Sequence, residues 1–420
     1  MGIRSEWDRL RKVVIHRPGP EIEYAMLSPR SFLFERPFST SLARKEHLLM
    51  EDTLKGEGIE VIQLRDIFID MAEHDSDFRK ELEKKVENTV MFFGERDTVS
   101  SARDDFSRNL HELDPETLFA MMTLEPSLDL RRNTEGDLNY PTIYSNVPLA
   151  NLYFMRDQQA VLTDGVAIGR MRNVQRRKEI NITRFLIERA LKIRNTYKVT
   201  ADGFLEGGDY MPMGKFAIFG TGSRTNMEGV RQVLQSGLID FDRVYVVQNP
   251  VYDFMEVDNN PMINMHLDTY FNVPSSGTVI SNRALCERSK GVIFSRTDAG
   301  YEETGETTLM NIIKEEGMNL IDLSIPEQMS YASNFLTVRE GRIIAVETGK
   351  VLKRLMQRGV FSENTTRIIS HEVSRTGTET MFPNGSKLRD HGIDWISMDL
   401  QELTGGYGGA HCMTASIERS

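Results

Sequence analysis

The sequence predicts an α/β fold assembled from a repeated hairpin, helix and strand, and three observations carry that prediction. Four segments, 164–169, 213–218, 276–281 and 340–345, read as a turn glycine followed by an apolar strand, and their glycines (Gly165, Gly214, Gly277, Gly341) lie 49, 63 and 64 residues apart. Between them recurs a second pattern, an apolar strand opened by Gly58, Gly317 or Gly392 after a helical stretch, which suits the glycine that ends a helix in the left-handed conformation. The third observation is an interruption: residues 67–132 carry few glycines and few β-branched residues and many helix formers.

Taken in chain order, the strand at 12–16 opens the first unit without a turn glycine. The interruption then reads as helices at 76–90, 101–113 and 115–122, with Thr98 and Ser100 before one run and Asp114-Pro115 starting another, as N-terminal caps do. The helix of the later unit spans 307–316, with Leu309, Ile312 and Ile313 on one face. Self-similarity of this kind signals a propeller, an array or a solenoid. The expected organisation is an α/β catalytic domain over 1–66 and 133–420, with a helical insertion at 67–132.

Composition narrows the function. Charged residues make up 27% and the hydrophobic set 40% of 420 residues, which is a globular balance with ample core. A net charge of −11 argues against nucleic acid as a partner, which needs a basic face. Two cysteines make no disulfide framework, no apolar run reaches the roughly 20 residues of a membrane span, and the N-terminus lacks a signal-peptide core. The expectation is a cytoplasmic protein with no membrane partner; the oligomeric state is left open, a homo-oligomer included.

Four motifs carry chemistry. Cys412 follows the small-residue run Gly405-Gly406-Tyr407-Gly408-Gly409-Ala410 and adjoins His411, so a planar electrophile could approach its thiol. Asp157 ends the largely apolar stretch that starts at Asn151 and includes Phe154. Glu206 and Asp209 flank a Gly-Gly pair, so both acids can converge on one cation. His266 and Asp268 stand two apart, which on a strand puts them on one face. Such a pair could also ligate a metal, but no Cys/His spacing completes a zinc site. Arg176 and Arg224 follow two of the hairpins, and arginine suits bidentate carboxylate recognition, whereas the neighbouring Arg177 and Lys178 read as surface cations. The set makes sense for guanidinium hydrolysis: carboxylates hold the planar cation, the thiol attacks its carbon and the histidine handles protons.

In their order along the chain these motifs resemble the arginine deiminases, within the amidino-group-transfer superfamily often called penteins, and the resemblance runs from Arg11 to Thr414. It implies a five-bladed α/β propeller and conversion of L-arginine and water to L-citrulline and ammonia through an amidino-cysteine. It implies Cys412 as nucleophile, His266 as acid/base, and Asp157, Glu206 and Asp268 around the guanidinium. It further implies Asn151, Arg176 and Arg224 at the amino-acid end, Phe154 at the aliphatic stem, and neither metal nor organic cofactor. Three departures stand out: Tyr407 where some relatives carry arginine, Leu33-Phe34-Glu35-Arg36 in place of Leu-Phe followed by two acids, and no proline after the thiol. The alternatives are a deiminase or dihydrolase for another guanidino compound such as agmatine, an inactive arginine-binding relative, and a metal-dependent hydrolase.

Overall fold

A computed structural model describes residues 2–131, 142–250 and 264–420. Five of its sheets obey one pairing rule, an antiparallel pair whose second strand runs parallel to a third. In the first, Ala415–Arg419 lies antiparallel to Leu10–Ile15, which is parallel to Glu60–Gln63. The others unite Gln159–Leu162, Gly165–Ile168 and Thr196–Lys198; Tyr210–Pro212, Phe216–Thr221 and Arg243–Gln248; Phe271–Ser275, Thr278–Ser281 and Asn319–Asp322; and Leu336–Arg339, Arg342–Val346 and Asp394–Met398. A parallel third strand requires a crossover, and a helix supplies it in each sheet: Thr40–Gly56, Glu179–Phe185, Met227–Gln235, Leu309–Glu315 and Thr348–Gln357. The repeated hairpin, helix and strand is thus observed. Gly165, Gly214, Gly277 and Gly341 turn the hairpins with φ of 143°, 77°, 74° and 70°, values that a side chain disfavours.

Two departures from the sequence reading follow from context. The third sheet gains an extra hairpin, Lys290–Thr297 with Gly300–Thr308, paired antiparallel to Arg243–Gln248. Its outer strand is largely exposed and carries Glu302, Glu303 and Glu306, so no apolar pattern announces it. The helix read as 307–316 therefore starts at Leu309, where Thr308 caps it by accepting from the Asn311 N–H at 3.2 Å.

The segment read as a helical insertion holds Leu64–His74, Ser76–Thr89, Arg96–Asn109 and Pro115–Leu124, with a small sheet of Met91–Phe93, Pro126–Asp129 and Thr142–Ser145. Its proposed boundary at 132/133 lies outside the described residues. Asp75 and Asp114 cap two of these helices, at 3.0 Å to Phe78 N–H and 2.8 Å to Thr117 N–H. The helix placed at 101–113 instead begins at Arg96, after Glu95 and without a side-chain cap, so the hydroxyls of Thr98 and Ser100 do not set its start. Phe68, Phe78 and Phe119 interlock edge to face, and Phe78 stacks on Phe185 of the second unit at 4.5 Å between ring centroids. The segment thus shares a hydrophobic core with the sheets rather than enclosing a separate one. Among the described residues no helix is long and apolar enough to cross a membrane.

Candidate active site

Several candidate residues share a position in the repeat. Asp157, Asp209, Asp268, Asn334 and Cys412 each stand one to three residues before the first strand of a hairpin, those strands beginning at Gln159, Tyr210, Phe271, Leu336 and Ala415. Glu206 and His266 lie a few residues further back on the same turns. The turns of three sheets supply Asp157, His266 and Cys412 to one pocket of about 290 Å³, which Asn151, Phe154 and Arg176 also line.

Cys412 reaches this pocket because the backbone before it carries no side chain where it passes Phe154. A Cβ on Gly408 would stand 2.6 Å from the Phe154 ring and 2.8 Å from the Cys412 Cβ. The thiol is 3% exposed, and Asn334 Nδ2 donates to Sγ at 3.0 Å while Asp268 Oδ2 lies 3.4 Å away. Burial pushes the Cys412 thiol well above its usual range, and the charges of Asp268 and Asp157 push it further. His411 turns away from the sulfur. Its Nδ1 meets Asp268 Oδ2 at 2.7 Å and its Nε2 meets Glu6 Oε1 at 3.3 Å, while Arg419 pairs with Glu6 at 2.6 Å. Burial raises the Asp268 carboxyl, but the His411 hydrogen bond and the charges of His411, His266 and Arg156 outweigh it and keep the group ionised.

Across the pocket His266 Nε2 lies 2.8 Å from Glu206 Oε2, and its Nδ1 3.6 Å from Asp157 Oδ1. Burial disfavours the imidazolium, yet the charge of Asp157, the Glu206 hydrogen bond and the charges of Asp209 and Glu206 raise its pKa to about 9. Burial likewise raises Glu206, but the bond from His266 and the charges of Arg224, His266 and Arg176 hold it at about 2. These shifts favour a protonated His266 beside an ionised Glu206 at neutral pH. Asp157 Oδ1 and Asp268 Oδ1 are buried and accept no hydrogen bond among the described residues. They are two open acceptors, which planar N–H donors would satisfy. One ligand atom each from Asp157, Glu206 and His266 also lies within 4.8 Å of the others, a donor set able to hold a compact cation.

The structure corrects one local reading. His266 and Asp268 do not share a face of a strand: His266 is extended, and Leu267–Thr269 forms a tight 3₁₀ turn. The turn sends the two side chains apart, His266 to Glu206 and Asp268 to His411 and Cys412. Asp209 braces this turn, accepting from Leu267 N–H at 2.9 Å and Asn249 Nδ2 at 2.8 Å, and it does not line the pocket. Burial lifts its carboxyl to about 6. Arg176 does line it, with its guanidinium committed to Asp157 and to Glu179, the latter at 2.9 Å. Arg224 lines the pocket beside Met265, with Nη2 3.6 Å from its sulfur. Asn151 donates to Phe32 O at 2.8 Å. Arg177 and Lys178 are exposed, as read.

The departing residues form a clasp over the glycine-rich run. Glu35 N–H donates to Gly405 O at 2.7 Å, and Arg36 Nη2 donates to Gln401 O at 2.6 Å. Burial pushes Glu35 up to about 7 despite Arg36 beside it. Tyr407 lines the pocket with φ of 69°.

Sequence reasoning missed Asn334, Glu179 and Glu6. For Asn334 the signal was available: the turn before the hairpin's first strand had already supplied a candidate in other units, and the same register points to residue 334. Glu179 and Glu6 carry no local motif and become legible only through the arginines they neutralise.

An arginine deiminase family profile matches residues 30–419. The arginine deiminase of Halobacterium salinarum is 23% identical, the alignment covering 99% of this chain and 96% of that one. Among solved structures, SxtG, an amidinotransferase from Microseira wollei, aligns with a TM-score of 0.51 at 12% identity, covering 100% of this chain and 97% of that one. A cysteine-to-serine mutant of DDAH from Pseudomonas aeruginosa, complexed with citrulline, aligns at 0.50 and 13% identity over 97% of this chain and all of that one. At such identities the structural likeness bears on the fold: a mixed α/β fold shared with amidinotransferases and DDAH.

Proposed function

Because the chain belongs to the arginine deiminase family, we propose that it hydrolyses L-arginine to L-citrulline and ammonia through a covalent amidino-cysteine on Cys412. The observation that carries this is the pocket itself: the Cys412 thiol and the His266 imidazole line one space with Asp157, whose Oδ1 lacks a donor among the described residues, as does Oδ1 of Asp268, whose Oδ2 lies 3.4 Å from the sulfur. A guanidinium supplies those donors. Its positive charge offsets the carboxylates that suppress Cys412 ionisation, so the thiolate forms with the substrate in place.

The chemistry then runs in two halves. The sulfur lone pair forms the C–S bond as the carbon–nitrogen π pair moves onto nitrogen. His266 gives its proton to the departing nitrogen, the C–N bond breaks and ammonia leaves. The now neutral His266 takes a proton from water, whose oxygen bonds the same carbon; the C–S pair then returns to sulfur, the added hydroxyl gives its remaining proton to solvent as the C=O bond forms, and citrulline results. Asp157 and Asp268 hold the guanidinium, Glu206 keeps His266 oriented and charged, and Asp209 braces the turn that carries both His266 and Asp268. Phe154 packs on the aliphatic stem. Asn151, Arg176 and Arg224 serve the amino-acid end, Arg176 exchanging part of its contact with Asp157 or Glu179 for the substrate carboxylate.

The five units are arranged as blades about this pocket, and residues 67–132 are an insertion packed on the second blade. The reading is completed by a cytoplasmic enzyme acting on a small guanidino compound, with no nucleic-acid or membrane partner.

An endpoint assay with L-arginine tests the proposal. Citrulline and ammonia in equal amounts, lost in Cys412→Ala, support it; ornithine or no product from a folded protein overturns it. Agmatine, assayed in parallel, addresses the one competing substrate class. It lacks the carboxylate that Arg224 and Arg176 are proposed to meet, so kcat/KM for arginine is expected to exceed that for agmatine.

A further inference from the structure

We propose that Asn334 is a further catalytic residue, whose side-chain amide is a fixed donor to the Cys412 sulfur and favours that sulfur as a thiolate. Its orientation is determined by four contacts. Oδ1 accepts from the Gly409 N–H at 2.7 Å and the Cys412 N–H at 3.1 Å, while Nδ2 donates to Asp268 O at 3.0 Å and to Cys412 Sγ at 3.0 Å. Turning the amide over would set its NH₂ against two N–H groups and its oxygen against a carbonyl and a sulfur, so the hydrogen aimed at Sγ has no alternative placement. The other polar neighbour of Sγ, Asp268 Oδ2 at 3.4 Å, is held ionised by His411 and acts only as an acceptor. A neutral thiol gives its hydrogen to Asp268. A thiolate loses that contact and keeps only the one from Asn334. Of these two neighbours, the amide is the one that selects for negative charge on sulfur.

This assignment rests on the proposed role of Cys412 as nucleophile and adds a specific step to it. The amide stabilises the lone pair that attacks the guanidinium carbon. It does so again when the C–S bond breaks after water has added and given its proton to His266, because the pair then returns to sulfur. The same side chain also ties the Cys412 loop through Oδ1, so structure and catalysis must be separated by variant. Asn334→Asp keeps an oxygen for the two backbone N–H groups and removes the donor; Asn334→Ala removes both.

The test is the pH dependence of iodoacetamide alkylation at Cys412, located by peptide mass spectrometry on the full chain without substrate. The apparent thiol pKa is expected to rise by about one unit in Asn334→Ala, the size of one lost hydrogen bond to a charged group, and by more in Asn334→Asp. With arginine, kcat should fall about tenfold or more in both, while KM changes by less than about threefold. A wild-type alkylation profile in either folded variant overturns the proposal, since a loop-holding role alone is preserved in Asn334→Asp. Should melting show both variants unfolded, the unmodified protein decides. With asparagine side chains labelled with nitrogen-15, one amide resonance should shift as Cys412 is alkylated, and no shift overturns the assignment. Because alkylation needs no turnover, a protein inert towards arginine would sink the proposed function while leaving this test intact.

Discussion

The two cysteines occupy environments that look alike by burial and differ in everything else. Cys286 sits on helix Arg283–Arg288 in the apolar core of the third and fourth units, with its thiol donating to Ser281 Oγ at 3.1 Å. Burial pushes it up to about 12, and charged groups contribute less. Cys412 is also buried and pushed up, but two of the causes are the carboxylates of Asp268, 3.4 Å from the sulfur, and of Asp157, which lines the pocket with it. Nothing entering the protein reverses the suppression of Cys286. A cation entering the pocket reverses part of the suppression of Cys412. Low exposure therefore does not separate a structural thiol from a reactive one, whereas the removable source of the pKa shift does.

The largest expected effect breaks that comparison outright. Cys412→Ala should abolish citrulline formation, a loss on the order of 10⁴-fold or more. Cys286→Ala should leave turnover within about twofold and cost about 1 kcal/mol of stability through a small cavity. Equal losses in the two variants, measured as initial rates alongside melting curves, would erase the distinction.

His266→Ala comes next, with turnover reduced by about 10²- to 10⁴-fold. Its pH behaviour sharpens the account because the sign is fixed. A histidine held at about 9 in the folded protein adds stability that is complete below its ordinary value near 6.5 and is lost as pH rises through about 9. Melting curves of the wild type should therefore fall across that window, and those of His266→Ala should fall less. Arginine turnover, which needs the protonated form first, should decline above about pH 9.

A smaller effect is expected from Gly408→Ala. Its methyl group would stand 2.6 Å from Phe154 and 2.8 Å from the Cys412 Cβ, so the loop must shift, at about 1–3 kcal/mol. Alkylation of Cys412 should slow while Cys286 stays unreactive. The smallest effect is that of chelation. Asp157, Glu206 and His266 could hold a cation, but the chemistry derived above routes no step through one, so exhaustive chelation should leave kcat unchanged, and a loss restored by added metal would revive the hydrolase alternative.

How much of this was legible follows from which signals are local. The turn glycines and the helix-ending glycines at 58, 317 and 392 were readable because a positive φ is a one-residue demand. The hairpin at 290–308 was not, because an exposed acidic strand has no buried face to impose alternation. The candidate residues were found through motifs, yet the geometry of His266 and Asp268 was misjudged, since two residues on a tight turn diverge where two on a strand align. Asn334 carries no motif of its own and was legible only through the register of the turns, which points to residue 334. Glu6 and Glu179 escaped because a buried acid beside a distant arginine is a tertiary fact.

The most direct measurement is the thiolate absorbance of Cys412 at neutral pH, taken as the difference from Cys412→Ala, with and without a bound, unreactive guanidinium analogue of arginine. The account predicts a larger thiolate fraction in the complex, with Cys286 unchanged in both states. An unchanged fraction in a protein shown to have bound the analogue would contradict it.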